Sequence, residues 1–146
     1  MNSIDSYERL RQYTELEYIL LGDLRELLQA PDKTDTSLWM LSTLDALLET
    51  LPIEFELKQS GSYLQDIIDE HPNWQPLVVR LEREHFDLCI RLSELRESVA
   101  RAAPFISLAD QVDAELRDWM NQLVAHNRHE IRLIQTAANL EVGCGD

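Results

Sequence analysis

The sequence predicts an all-α protein, an up-down-up-down four-helix bundle, from three observations. Apolar residues recur in steps of three and four along four long segments, which is the spacing of helices packed against other helices. Glycine (4) and proline (5) are scarce in the 146 residues, which favours long helices over many short strands. The connections between the segments are short, and short loops join antiparallel neighbours. Residues 1–146 are therefore expected to form a single four-helix domain.

The first helix is predicted from about Asp5 to Ala30. Asp5 and Glu8 have the spacing of a helix N-cap and its capping carboxylate, and Pro31 closes the helix. The inward face of this helix is expected to hold Leu10, Tyr13, Glu17, Leu20, Leu24 and Leu27.

The second helix is predicted to start near Ser37 and to break at Ser60-Gly61-Ser62, with a short helical turn following at 63–68. Pro52 lies inside it and removes one backbone hydrogen bond, which predicts a kink. The inward positions of this helix are Leu44, Leu47, Leu51, Glu54 and Lys58.

The third helix is predicted with Asn73 as its cap and Pro76 in its first turn, and Pro104 ends the connection that follows it. Ser107 to Asp110 then opens the fourth helix. The third helix turns inward Leu81, His85, Leu88, Leu92, Leu95 and Val99. The fourth turns inward Val112, Leu116, Trp119, Leu123, His126, Glu130, Leu133, Ala137 and Leu140.

Each inward face carries ionisable residues where apolar ones are expected. They are Glu17, then Glu54 and Lys58, then His85, then His126 and Glu130. At about 1.5 Å of rise per residue, their distances from the helix starts agree within a few ångströms, so all six are expected in one layer. Burial of such groups costs free energy unless each finds a charge partner, a hydrogen bond or a metal. Inward carboxylates and histidines on facing helices are how bundles build iron and manganese sites.

Three stretches carry a family resemblance. They are His126-Asn-Arg-His-Glu130 with the ending Glu141-Val-Gly143-Cys-Gly145-Asp146, then Leu81-Glu-Arg-Glu-His85-Phe-Asp-Leu, then Glu54-Phe55 with Lys58-Gln59 and Gly61-Ser-Tyr63-Leu. They resemble motifs of the hemerythrin-like (HHE) cation-binding family, whose members place His and Glu ligands on four helices around a non-heme, often di-iron, centre. The resemblance implies that fold and the candidate metal ligands His85, His126, Glu130, Glu54 and Glu17.

Three positions depart from the family pattern. Glu17 and Glu54 stand where the family has histidines, and Lys58 stands where a glutamate would bind or bridge the metals. An ammonium has no lone pair for a metal, so the remaining residues imply one non-heme iron rather than two. Lys58 is instead expected to form an ion pair with Glu17, Glu54 or Glu130.

Two functions follow from this layer. In the first, the chain binds or senses iron, O2 or NO, with a metal cation and a diatomic gas as partners. In the alternative, it is a metal-free relative whose polar layer is an ion-pair network around Lys58, and it acts as a structural or interaction module. No catalytic residues are predicted and the chain is not expected to be an enzyme, because a pair of Glu-x-x-His motifs on two different helices, a Ser–His or Cys–His arrangement and a phosphate loop are all missing. Homodimerisation through an outer helix face stays open.

Charge and hydropathy exclude other classes of partner. The formal net charge of −14 argues against a nucleic acid or an anionic membrane surface. No apolar run is long enough to span a bilayer, and the first residues lack the features of a signal peptide, so a cytoplasmic protein is expected. Cys89, Trp39 and Trp119 are expected to pack in the interior, His129 to lie at the surface and His71 to lie in a turn.

Overall fold

A computed structural model describes residues 3–29, 36–60, 63–102 and 110–144. Every one of these residues except His71 lies in a helix. The elements are α1 (Ser3–Gln29), α2 (Thr36–Ser60), α3 (Tyr63–Glu70), a 3-10 turn (Pro72–Trp74), α4 (Gln75–Ala102) and α5 (Asp110–Cys144). The predicted all-α class is confirmed, and the four long helices are compatible with a four-helix bundle.

Two predicted helix starts differ from the structure. Asp5 lies in the first turn of α1, which begins at Ser3, so the carboxylate sits near the positive end of the helix dipole instead of at the cap. Asn73 lies inside the 3-10 turn, and α4 begins at Gln75. The fixed backbone of Pro72 explains this shift, because it starts the tighter turn immediately after His71. Pro104 and Ser107 lie outside the described residues.

Where two neighbouring helices touch, a residue that comes later in one helix contacts a residue that comes earlier in the other. Between α4 and α5, His85 contacts Glu130, and the Trp119 indole donates a 2.9 Å hydrogen bond to the Leu88 carbonyl. Between α2 and α4, Phe55 stacks on His85, while Asp45 pairs with Arg96.

The helix α1 contacts both α2 and α5, and its contacts with α5 run in the same reversed order. Thr14 reaches Glu54 on α2, and Glu17 accepts a hydrogen bond from Asn127 on α5. Nearer the other end of α1, the Arg117 guanidinium donates to the Leu28 carbonyl at 2.7 Å. These contacts bring the middle of α1 beside the last turns of α2 and the middle of α5, which carry the polar layer.

The apolar core forms two clusters of buried side chains. The larger one joins α1, α2, α4 and α5 and includes Leu24, Leu44, Leu92, Leu116 and Trp119. The smaller one lies against α3 and contains Leu64, Ile67, Val78 and Ala137. Along α4 and α5 the predicted polar residues fall between the two clusters, so they interrupt an otherwise apolar interior.

Trp39 does not pack in the core as predicted. Its side chain is 67% exposed, together with that of its neighbour Leu38. At this end of α2 the buried positions are Thr36, Ser37 and Met40. The helix therefore turns Trp39 to its outer side, because two small polar residues take the inward positions. Trp119, by contrast, is buried as expected.

The described helices include none that combines the length and the apolar composition required to cross a membrane.

Candidate metal centre

The six ionisable residues predicted for one layer are all buried. Their exposed fractions run from 0% for Glu54 to 6% for Lys58, and the other four are Glu17, His85, His126 and Glu130. The helical spacing explains their burial, because each occupies the inward position that its apolar neighbours one turn away also occupy. The interior of this protein therefore holds a contiguous set of charged and ionisable groups, each of which needs a partner.

Three of the five candidate ligands form a compact group. His85, His126 and Glu130 each offer one donor atom, and these three atoms lie within 4.8 Å of one another. The Oε2 atom of Glu130 is 3.2 Å from His85 Nε2 and 3.8 Å from His126 Nε2. α4 supplies one imidazole, and α5 supplies the other imidazole together with the carboxylate one turn later. Two imidazoles and a carboxylate suit Fe, Mn or Zn better than a soft metal.

The tautomer of His126 is fixed by a residue outside the predicted layer. Its Nδ1 lies 2.7 Å from Oε2 of Glu84. Because an ionised carboxylate only accepts hydrogen bonds, Nδ1 carries the proton of the neutral imidazole and Nε2 then carries the lone pair. That buried Nε2 has no hydrogen-bond partner in the described part of the chain. A histidine held by a carboxylate on one nitrogen, with a free lone pair on the other, is the usual arrangement of a metal ligand, and the residues fit a cation here.

His85 is held by a ring and by a carboxylate. The Phe55 ring stacks on it at 3.4 Å between centroids and 7° between planes, while its Nε2 atom lies 3.2 Å from Glu130 Oε2. Burial lowers the pKa of His85, although the hydrogen bond to Glu130 opposes this effect. The imidazole is therefore kept in its neutral form, which is the form that binds metals.

Lys58 occupies the other side of Glu130. Its ammonium lies 2.6 Å from Glu130 Oε1 and 3.2 Å from Glu54 Oε1. Burial by itself would lower the pKa of Lys58, but the negative charges of Glu130 and Glu54 outweigh it, and the net shift is upward. Lys58 thus stays charged, forming the ion pair expected from the sequence with two of the three candidates.

Glu130 is ionised because its partners outweigh its burial. Burial raises the pKa of this carboxyl, but the hydrogen bond from His85 and the charge of Lys58 lower it to about 2. Its two oxygens face different partners, with Oε1 on the ammonium and Oε2 on the imidazoles. One carboxylate therefore serves both the ligand group and the ion pair.

Glu54 and Glu17 lie in the same layer but outside the compact ligand group. Burial raises the pKa of Glu54 to about 8; the charge of Lys58 lowers it and that of Glu17 raises it further. Glu54 therefore holds a proton more tightly than an exposed glutamate does. Thr14 donates to Glu54 Oε1 at 3.4 Å, and Asn127 donates to Glu17 Oε1 at 3.2 Å. These hydrogen bonds stabilise the two carboxyls without a metal.

Sequence reasoning did not identify Glu84 as the partner of His126. The two residues are 42 positions apart, and Glu84 precedes His85 without itself standing on the inward face.

The other predicted positions of histidine and cysteine side chains can be compared with the structure directly. His129 is exposed, as predicted, and His71 ends a turn with its ring stacked on Trp74. Cys89 packs against the larger core cluster, and burial raises the pKa of its thiol to about 11, so it offers no thiolate.

A cavity of about 450 Å³ lies between α4 and α5 beside the ligand group. Its wall includes His126, Glu84 and His129. It brings open space to the imidazole whose lone pair is free. Comparisons of the chain with protein-family models, with curated proteins and with solved structures find no match.

Proposed function

We propose that this chain is a hemerythrin-like cation-binding protein that holds one divalent transition-metal ion, with Fe(II) as the first candidate. His85, His126 and Glu130 are its ligands. The single observation that carries the proposal is His126, whose Nδ1 is bonded to Glu84 while its buried Nε2 has no partner. A metal ion uses that lone pair, and without one the free energy of its desolvation is not recovered.

The proposed architecture is an up-down-up-down bundle formed by α1, α2, α4 and α5. The reversed order of the contacts between α2 and α4, between α4 and α5 and between α1 and α5 supports it, as does the burial of most of the inward positions. In such a bundle, side chains on facing helices build a site in the core. This is how residues from α4 and α5 supply the ligands while α2 supplies Lys58.

Lys58 makes the proposed site mononuclear. Its ammonium takes up one oxygen of Glu130, so this carboxylate cannot bridge two cations. The charge of the ammonium also repels a second metal cation from the position where it would share Glu130 with the first. Glu54 and Glu17 are then neighbours of the site that adjust its charge, and they do not act as ligands.

An iron ion bound by two imidazoles and one carboxylate supplies open coordination positions for a small ligand, which suits a protein that binds or senses iron, O2 or NO. The chain itself orients His126 through Glu84 and holds His85 flat against Phe55. The cavity beside His126 provides space for a small molecule to approach.

A metal-free ion-pair network is the second candidate. The observation in its favour is that both oxygens of Glu130 already have partners, Lys58 at 2.6 Å and His85 at 3.2 Å. In that case the layer specifies how the helices pair and the chain acts as a structural or interaction module. The network leaves His126 Nε2 unexplained, which is why we rank it second.

Elemental analysis of tag-free protein after anaerobic incubation with Fe(II) separates the two functions. We expect one metal ion per chain, lost in His126→Ala and retained in His129→Ala. The second variant is a matched control, because His129 lies one turn away on the same cavity but is exposed. Absence of bound metal in the unmodified chain would support the ion-pair network, and two irons per chain would contradict the role given to Lys58. Multiple turnovers of ferrous iron with O2 would show that the chain is an enzyme after all.

A further inference from the structure

A second and larger cavity, of about 600 Å³, opens between α1 and α5 on the opposite side of the polar layer. Its floor is formed by Glu17, Glu54, Lys58 and Glu130, all of which are buried. Neither His85 nor His126 lines it, so it meets the ligand group at Glu130 alone. Its volume is that of a typical small-molecule site.

The floor of this cavity offers hydrogen-bond acceptors that lack donors. The Oε2 atom of Glu54, a residue with no exposed surface, accepts no hydrogen bond from the described protein, and neither does Oδ1 of Asn127. The carboxylate of Glu17 lies beside them, accepts a hydrogen bond from Asn127 and is hydrogen-bonded to Glu54. Buried acceptors without donors are costly, and a ligand that carries several N–H donors removes this cost.

Charge selects a cation over an anion. Three carboxyl groups on the floor face one ammonium, and that ammonium is already 2.6 Å from Glu130 and 3.2 Å from Glu54. Arg25 and Arg128 also line the cavity, but they are exposed at its mouth, where solvent and salt screen their charges. An anion would have to approach the floor against the field of its carboxyls and of the whole chain.

The walls above the floor are apolar. Leu10, Leu21, Val124 and Ile131 line them. Gly22 leaves part of the α1 wall open, because a Cβ atom built on it would meet nothing within 4 Å. A ligand for this cavity therefore combines a charged donor group at one end with a hydrocarbon body at the other.

We propose that the cavity between α1 and α5 binds an organic ammonium, a primary amine with an apolar tail. Its N–H donors reach Glu17, Glu54 and Asn127, and its tail lies along the leucine, valine and isoleucine side chains. This site does not require a metal ion and does not depend on the function proposed for His85, His126 and Glu130.

Calorimetric titration of the full chain with n-hexylammonium tests the proposal, with n-butylammonium, hexanoate and 1-hexanol as comparison ligands. We expect saturable binding of one hexylammonium per chain. Affinity should rise by up to about fourfold for each added methylene that is buried, so the hexyl compound binds tighter than the butyl one. Equal binding of hexanoate or hexanol would overturn the assignment of a cation, and absence of saturable hexylammonium binding would overturn the site.

Substitution of Gly22 tests the location of the site. Gly22→Leu is expected to fill the cavity and to abolish hexylammonium binding, whereas Gly22→Ala adds one carbon atom and keeps it. Glu17→Gln is expected to weaken binding about tenfold or more, because it replaces a charged acceptor with a neutral one. Binding by Gly22→Leu equal to that of Gly22→Ala would refute the location. Metal content measured on the same Gly22 variants should not change, so this proposal and the metal site can fail independently.

Discussion

Replacement of Lys58 by methionine is the most direct test of the polar layer. The ammonium contacts Glu130 at 2.6 Å and Glu54 at 3.2 Å, and its side chain is only 8% exposed. Methionine keeps the length and the packing but leaves the Glu130 carboxylate without its cation. Removal of one partner from a buried ion pair costs about 3–5 kcal/mol in free energy of unfolding. Since domains of this size are stable by only about 5–15 kcal/mol, the loss is large and measurable.

Urea denaturation at neutral pH, followed by circular dichroism, measures this loss. Arg96→Met is a matched control, because it also removes a cation that pairs two helices, but the pair with Asp45 is exposed and little change is expected. If Lys58→Met lowers the free energy of unfolding by less than about 1 kcal/mol, the reasoning is refuted, because a loss that small is typical of an ion pair screened by solvent.

Lys58→Glu extends the same test to metal binding. The added carboxylate restores the residue type that the family resemblance places there and removes the repelling charge. We expect metal content to rise, and excess metal to recover about 2.7 kcal/mol of stability when its concentration is a hundredfold above the dissociation constant. Metal content that stays at one ion per chain would show that Lys58 is not what excludes a second metal ion.

Three further predictions concern single side chains. The pKa of Glu54 is raised from 4.5 to about 8, so its contribution to stability is complete below pH 4.5 and is lost as the pH rises through 8. Glu54→Gln should therefore flatten the decline of the free energy of unfolding with pH, measured by urea denaturation. An unchanged slope would contradict the assignment. Glu84→Gln should weaken metal affinity about tenfold to a hundredfold in a metal titration, because it no longer fixes the ring of His126; equal affinity would argue against His126 as a ligand. Gly22→Ala should raise the free energy of unfolding by about 0.4–1 kcal/mol, because Gly22 lies inside a helix with space for the added carbon; a loss of stability would mean that this space is absent.

The helical periodicity predicted the depth of the polar residues well. Steps of three and four placed Glu17, Glu54 and Lys58 on inward faces, and all three are buried. Such spacing works because a helix fixes which residues share a face before any tertiary contact forms. The same spacing misplaced Trp39, since at the start of α2 the choice between inward and outward sides depends on how the neighbouring helices pack.

The partners of these residues were less predictable than their depth. The sequence left Lys58 with three candidate carboxylates, and only the arrangement of α2 against α5 selects Glu130 as the nearest. Glu84 was missed because it stands beside the inward face of α4 and reaches His126 only across the gap between two helices. Contacts of this kind depend on the relative rotation of two helices, which single-sequence periodicity does not determine.

Glu130 also has a consequence for how mutations combine. Among the described residues, Glu130 is the carboxylate that contacts both Lys58 and His85, with Oε1 on the ammonium and Oε2 on the imidazole. Substitutions at Lys58 and His85 are therefore expected to be epistatic: the change in free energy of unfolding of the double variant should differ from the sum of the two single changes by about 0.5–3 kcal/mol. At independent sites the two changes would add. Sequence change at one of these positions alters which residues the other will tolerate, so the two positions are expected to evolve together.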